Sequence, residues 1–336
     1  MLDKCTTKSW ETSLYEPQQL YYNLMGEKIL TDKNVKSAYY MAKHKQSCDS
    51  PAWDGMTRTI LIDGMEQDQA WSLIRYHILH GPSDCVKRFD IPKSNGKTRP
   101  ISIYPLLDRV AQWCIMGPLS KACGPLLSPI NHAFQKGKSC KTAFEAFPPA
   151  GEAGYVICGD IHSFFDTVSH SLVRACLWSA GIRDSQLLHT INVTLKTPYK
   201  YPKQPKVRPE QGLPQGAPIS PLLANIILAY MDRYFVSLYG DQKLPRMVRY
   251  ADDFVIFCTD RKQAMTVQTQ MTWFIKYRLR LDLAPEKTYL VNIKQKPFEF
   301  LGLQFAVKGN EYHKCFPQKN IKQISVIAWK QTTSRY

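Results

Sequence analysis

The stretch MVRYADDFVIFC (247–258) decides the fold, because two apolar, β-rich runs are separated at Ala251-Asp252-Asp253 and leave adjacent carboxylates at a strand–turn–strand. A second run, YVICGDI (155–161), has strand composition and closes on another acid, Asp160. Pairing of these strands would bring Asp160, Asp252 and Asp253 together in a chain that is otherwise basic. Taken singly, a strand-ending Asp and an Asp-Asp turn are ordinary, since Asp is a common turn former. Taken together, they suit divalent cations, which want oxygen ligands. Two such ions about 3.5–4 Å apart activate an attacking hydroxyl, stabilise a leaving pyrophosphate and neutralise the charge between them.

Outward from these runs the chain alternates strands and helices. Ser169 to Ala180, Ser185 to Leu195 and Pro221 to Leu238 read as helices, and so does Ala264 to Arg280, with Val267, Met271, Phe274 and Ile275 on one face. FDIPKSNGKTRPISIY (89–104) places a Ser-Asn-Gly turn between extended runs and reads as a hairpin with Lys93, Lys97 and Arg99 at its tip. Residues up to about 85 read as helical, and Val307 to Tyr336, with six Lys/Arg and one Glu, has no strong periodicity. The fold class is α+β.

With 336 residues and 44% hydrophobic content the chain can bury a sizeable core. Its 44 basic and 28 acidic side chains give a net charge of +16, which favours a polyanionic partner, nucleic acid first. The ten cysteines are scattered, with no CxxC pair, as expected of reduced thiols in a cytoplasmic protein. No signal peptide or membrane span is expected. The stretch 195–208 interleaves Lys196, Lys200, Lys203, Lys206 and Arg208 with Tyr199 and Tyr201 and holds no acid. It is a candidate nucleic-acid contact, or equally a solvated proline-rich linker.

Several motifs in one order carry a resemblance: WDGMT (53–57), IPKSNGKTRPISI (91–103), DRVAQ (108–112), NHAFQKGKSCKTA (131–143), GDIHSFFDTVSH (159–170), QGLPQGAPISPLLAN (211–225), YADD (250–253), PEKT (285–288) and FEFLGLQF (298–305). In this order the chain resembles the group II intron and retron-like reverse transcriptases of prokaryotes. The resemblance implies a right-hand polymerase with an antiparallel palm sheet: a helical extension and fingers entry (1–88), fingers (89–150), palm (151–305) and the start of a short or truncated thumb (306–336). It implies an RNA-directed DNA polymerase with Asp160, Asp252 and Asp253 as catalytic and metal-binding residues for two Mg2+ ions, for which Mn2+ is a substitute.

The same resemblance places Lys93 and Arg99 on the incoming triphosphate and Phe165 as a steric gate against a ribose 2′-hydroxyl. It puts Gln215 and Gly216 beside the nascent base pair, Lys287 near the triphosphate or primer end, and Leu301-Gly302 in the primer grip. The implied partners are an RNA template, a dedicated noncoding RNA, dNTPs and the DNA product, with no membrane and with room for an oligomer or accessory subunit. About thirty residues follow Phe305, and the Asn-Ala-x-x-His and Val-Thr-Gly signatures of retron enzymes are not found. The expectation is therefore a compact stand-alone enzyme of the kind found in anti-phage defence. The alternatives are an RNA-binding scaffold with a polymerase fold and a template-independent or RNA-making nucleotidyltransferase.

Overall fold

The computed structural model describes residues 14–45, 48, 52–92, 98–240 and 242–315. Helices α1 (Asp32–His44), α2 (Arg58–Ile62) and α3 (Gln67–His80) lead into β1 (Val86–Pro92), β2 (Thr98–Ile103) and α4 (Leu106–Ala122). Then come α5 (Cys140–Glu145), β3 (Tyr155–Asp160), α6 (Phe164–Thr167), α7 (His170–Ser179), α8 (Ser185–Leu195), β4 (Tyr199–Lys200) and α9 (Ser220–Tyr239). The chain continues through β5 (Arg246–Tyr250), β6 (Asp253–Cys258), α10 (Arg261–Trp273), β7 (Tyr289–Asn292), β8 (Phe298–Phe300), β9 (Leu303–Lys308) and β10 (Glu311–Cys315). A π turn, Phe274–Arg278, extends α10.

Two compact units emerge, one from residues up to Ser128 with Ser163–Arg233, the other from Pro129–His162 with residues from Tyr234 onward. The segment 89–150 is thus shared between them.

In the first unit, α4 is buried along most of its length although it contains Pro118. A proline there cannot donate to the carbonyl of Cys114 four residues back. Asn34 Nδ2 takes that place, donating to the Cys114 carbonyl at 2.8 Å and to that of Ile29 at 2.8 Å. Strands β1 and β2 form the expected antiparallel hairpin, with Ile91 opposite Arg99. Its tip, with Lys93 and Lys97, lies outside the described residues. β4 joins β1 in parallel and completes a three-stranded sheet.

The second unit is built on an antiparallel four-stranded sheet in the order β5-β6-β3-β7. Side chains alternate across a strand. Val156, Cys158, Val255 and Phe257 therefore join a cluster with Phe298, Phe300 and Phe305, against which Phe144 and Phe147 pack. The intervening Ile157 and Ile256 are buried as well, and α10 lies against β3 and β6. With both faces covered, the strands read as unbroken apolar runs. Removing one of the buried rings would cost about 3–5 kcal/mol.

A second sheet, β10-β9-β8, continues from this core. The region after 305 thus departs from its aperiodic reading: β9 runs through Phe305 and pairs with β10. Its alternation was hidden because Lys308 and Gly309-Asn310 interrupt two short strands.

Candidate active site

Asp160 is the last residue of β3 and Asp253 the first of β6, and the antiparallel register sets them directly opposite each other. Such pairs sit about 4.5–5.5 Å apart at the backbone, so their carboxylates share one small volume. Gly159 makes the crossing possible, because a Cβ there would lie 2.2 Å from the Phe254 ring. Asp252 occupies the two-residue turn with Ala251, whose φ of +56° is a left-handed conformation that glycine usually supplies. Ala251 is held there from below: Arg249, fully buried, donates from its guanidinium to the Ala251 carbonyl at 2.9 Å. The Arg249 backbone in turn bonds Ile130 and His132, at 3.0 and 2.8 Å.

Burial above all, with the neighbouring charges of Asp160 and Asp252, pushes the Asp253 carboxyl up to about 7 against the Leu301 N–H and Lys287, which lower it. That N–H donates to Asp253 Oδ2 at 3.2 Å. Leu301 and Gly302 both have positive φ, +54° and +73°, the pattern of a type I′ turn joining β8 to β9. The expected primer-grip dipeptide is thereby fastened to one of the expected catalytic carboxylates.

Lys287 lies on Asp160, its Nζ donating to Oδ2 at 2.7 Å. Burial pulls its ammonium down, but the hydrogen bond to Asp160 and the fields of Asp160, Asp252 and Asp253 outweigh this and leave it raised. Lys287 is therefore charged at neutral pH. Asp160, Asp253, Lys287, Tyr289, Leu301 and Gly302 line a cavity of about 230 Å³.

In the first unit, Phe165 is half-buried and lines a separate cavity of about 300 Å³ with Arg88, Ser102, Tyr104, Arg208 and Pro214. Gly216 has a φ of +106°, and its closest neighbour is protein: a Cβ there would meet the Ser102 carbonyl oxygen at 2.1 Å. Ser102 N–H donates to the Gln215 carbonyl at 2.7 Å, so this loop is tied to β2. Gln215 is half-buried beside it, and Arg99 is exposed on β2.

The 195–208 stretch is less free than its acid-free sequence suggests. Tyr201 donates to Asp90 at 3.0 Å, Lys206 pairs with Asp84, and Tyr199 lies under the Arg88 guanidinium at 4.1 Å. Lys200 sits 5.6 Å over the Trp53 ring, while Lys196, Lys203 and Arg208 are exposed. Acids distant in sequence supply what the segment lacks.

Arg249 escaped the sequence reading, although a charged residue flanked by Val248 and Tyr250 inside a buried strand was a legible sign. Arg88 gave no such sign. Among the described residues no three His, Cys, Asp or Glu side chains stand ready as a metal cage. The same residues include no helix long and apolar enough to cross a membrane.

Residues 91–305 match the family model described as Reverse transcriptase (RNA-dependent DNA polymerase). The chain is 26% identical to Protein YkfC of Escherichia coli over 327 residues, covering 84% of each chain. It is 26% identical to the group II intron-encoded protein LtrA of Lactococcus lactis over 288 residues, 66% of this chain and 47% of LtrA. It is also 26% identical to the Retron Mx162 reverse transcriptase of Myxococcus xanthus over 211 residues, 59% of this chain and 41% of that one. The chain thus spans about half the length or less of the intron and retron proteins it matches.

Proposed function

The chain belongs to the reverse transcriptase (RNA-dependent DNA polymerase) family, and on that premise we propose that it copies RNA into DNA by two-metal phosphoryl transfer at Asp160, Asp252 and Asp253. The observation that carries this reading is the Asp160–Asp253 register, which sets two carboxylates face to face at strand ends with Asp252 next in the turn.

The family implies divalent metal, and the residues present fit it. They are hard oxygen donors, and Asp253 is costly as a bare anion because it is buried beside two like charges. Magnesium takes only one or two carboxylates and fills its shell with water and substrate phosphate, so a ready-made cage is not required. When bound, magnesium, or manganese in its place, supplies activation of the attacking hydroxyl and neutralisation of the phosphates.

The chain's own residues do the rest. Lys287 holds the Asp160 carboxylate in position and adds positive charge beside it. Leu301 N–H orients Asp253, and in this reading the β8–β9 turn that carries Leu301 and Gly302 is the primer grip. Arg249 fixes the turn that carries Asp252. Phe165 is the gate whose ring excludes a 2′-hydroxyl, and Gln215 and Gly216 back the base pair. Arg99, together with Lys93 outside the described residues, grips the triphosphate. In this reading the four-stranded sheet is the palm and the β1–β2 hairpin the fingers. In this reading the template is a dedicated noncoding RNA in a defence or retroelement setting; the retron and intron names among the relatives favour the retroelement part alone.

The test offers purified protein a primed RNA template with magnesium and either dNTPs or rNTPs. DNA should form, and Asp252→Asn should lower its rate by at least ~10³-fold while RNA affinity changes little, because the basic surface is untouched. Full synthesis by Asp252→Asn would overturn the metal assignment. Phe165→Ala should admit rNTPs, and unchanged sugar selectivity would remove the gate.

A further inference from the structure

Helix α10 and its π extension carry Arg261, Lys262, Lys276 and Arg278, and Arg280 follows them, with no acid between Asp260 and Asp282. One side buries Ala264, Val267 and Met271, then Phe274 and Ile275. The opposite side departs from the usual polar face of a surface helix. Met265, Trp273 and Tyr277 stand there 52%, 43% and 63% exposed. They line one shallow groove of about 550 Å³ together with Thr272 and Lys276.

The rings are arranged with the cations. Trp273 and Tyr277 have centroids 6.3 Å apart, the Arg278 guanidinium lies 5.2 Å from the Trp273 ring, and Lys276 lies 5.9 Å from that of Tyr277. Beneath them Tyr234 stacks on Phe274 at 4.3 Å and 12°, giving the aromatic row a rigid base.

Large flat rings left in water cost free energy unless something covers them. Five cations without an acid disfavour a basic protein surface as the cover and favour a polyanion. Exposed rings interleaved with cations match the two needs of a single strand: faces for its bases and charge for its phosphates.

We infer that this groove binds single-stranded RNA, with bases against Trp273 and Tyr277 and phosphates against Lys276, Arg278 and Arg280. The surface lies on the outward side of α10 and uses none of the carboxylates, so it is a binding site additional to the one where synthesis is proposed.

The experiment uses the full chain carrying Asp252→Asn, so that binding is read without turnover. Its probe is a fluorescein-labelled oligouridylate of about 16 nucleotides with 4-thiouridine for crosslinking. Crosslinks should map to the peptide holding Trp273 and Tyr277. W273A/Y277A should weaken binding at least ~10-fold, whereas W273F/Y277F should keep most of it. K276Q/R280Q should lower the slope of log affinity against log salt by about 1.4.

Because all four side chains are exposed, the variants should melt within about 2 °C of the parent. Wild-type affinity in W273A/Y277A, with crosslinks elsewhere, would overturn the inference. So would a sedimenting dimer that only W273A/Y277A dissociates, since a second copy would then be the occupant. Loss of DNA synthesis by the unsubstituted enzyme would leave these readouts standing and would count only against the catalytic reading.

Discussion

Two aspartates, a buried one in the first unit and a half-buried one in the second, show opposite uses of a carboxylate. Asp184 in the first unit is 3% exposed, and each oxygen has its own donor: Leu187 N–H on Oδ1 at 2.9 Å and Met25 N–H on Oδ2 at 2.7 Å. It caps α8, so the helix dipole favours its charge too. Asp253 in the second unit receives one N–H, from Leu301, and faces the charges of Asp160 and Asp252. The first arrangement repays desolvation within the fold. The second does not, and a cluster of that kind persists where a ligand uses the charge.

Breaking the first arrangement should have the larger effect on stability. Asp184→Ala removes a helix cap and leaves two buried donors unpaired, so denaturant unfolding should show a loss of about 2–4 kcal/mol. A loss under about 0.5 kcal/mol would mean that the two sites do not differ as described.

Asp253→Asn should act in the opposite direction. The Asp253 carboxyl titrates at about 7 in the fold against 3.8 as a free group. Between those values the folded chain binds more protons than the unfolded one, so this group's contribution falls as pH rises through the window. In metal-free buffer at pH 8, Asp253→Asn should therefore stabilise the protein by about 1–3 kcal/mol, with the gain fading toward pH 4. Melting curves at the two pH values decide this, and equal shifts at both would remove the electrostatic explanation.

The smallest effect sharpens the picture of the turn. Ala251→Gly relieves a left-handed Cβ but frees the unfolded chain, and the two effects, each about 1 kcal/mol, should nearly cancel. A loss beyond about 1 kcal/mol would show that packing of the Ala251 methyl, rather than Arg249 beneath it, holds the turn.

Much of this was open to a reader of the sequence, because the deciding patterns are local. Unbroken apolar, β-rich runs at 155–160 and 253–258 and turn residues at 251–252 fix backbone geometry within a few residues. The ordered motifs carried the family. What stayed hidden depends on partners far along the chain.

The resemblance puts the PEKT lysine near the triphosphate or primer end, but its partner, Asp160, is 127 positions away and emerges only in the fold. The loop at 195–208 reads as free cation until Asp84 and Asp90 reach it. At Gly216 the backbone is approached closely by the Ser102 carbonyl of β2, a neighbour that the local sequence does not reveal.

The sequence by itself determined which carboxylates exist, which strands end on them and which family they belong to, since each follows from residue type and short-range order. Only the tertiary structure decided that Asp253 holds its proton near neutral pH, that a buried Arg249 braces the turn, and that α10 turns Trp273 and Tyr277 outward. Proton affinity, buried charge and surface exposure are set by burial and by neighbours brought in from distant segments, and no local pattern encodes those.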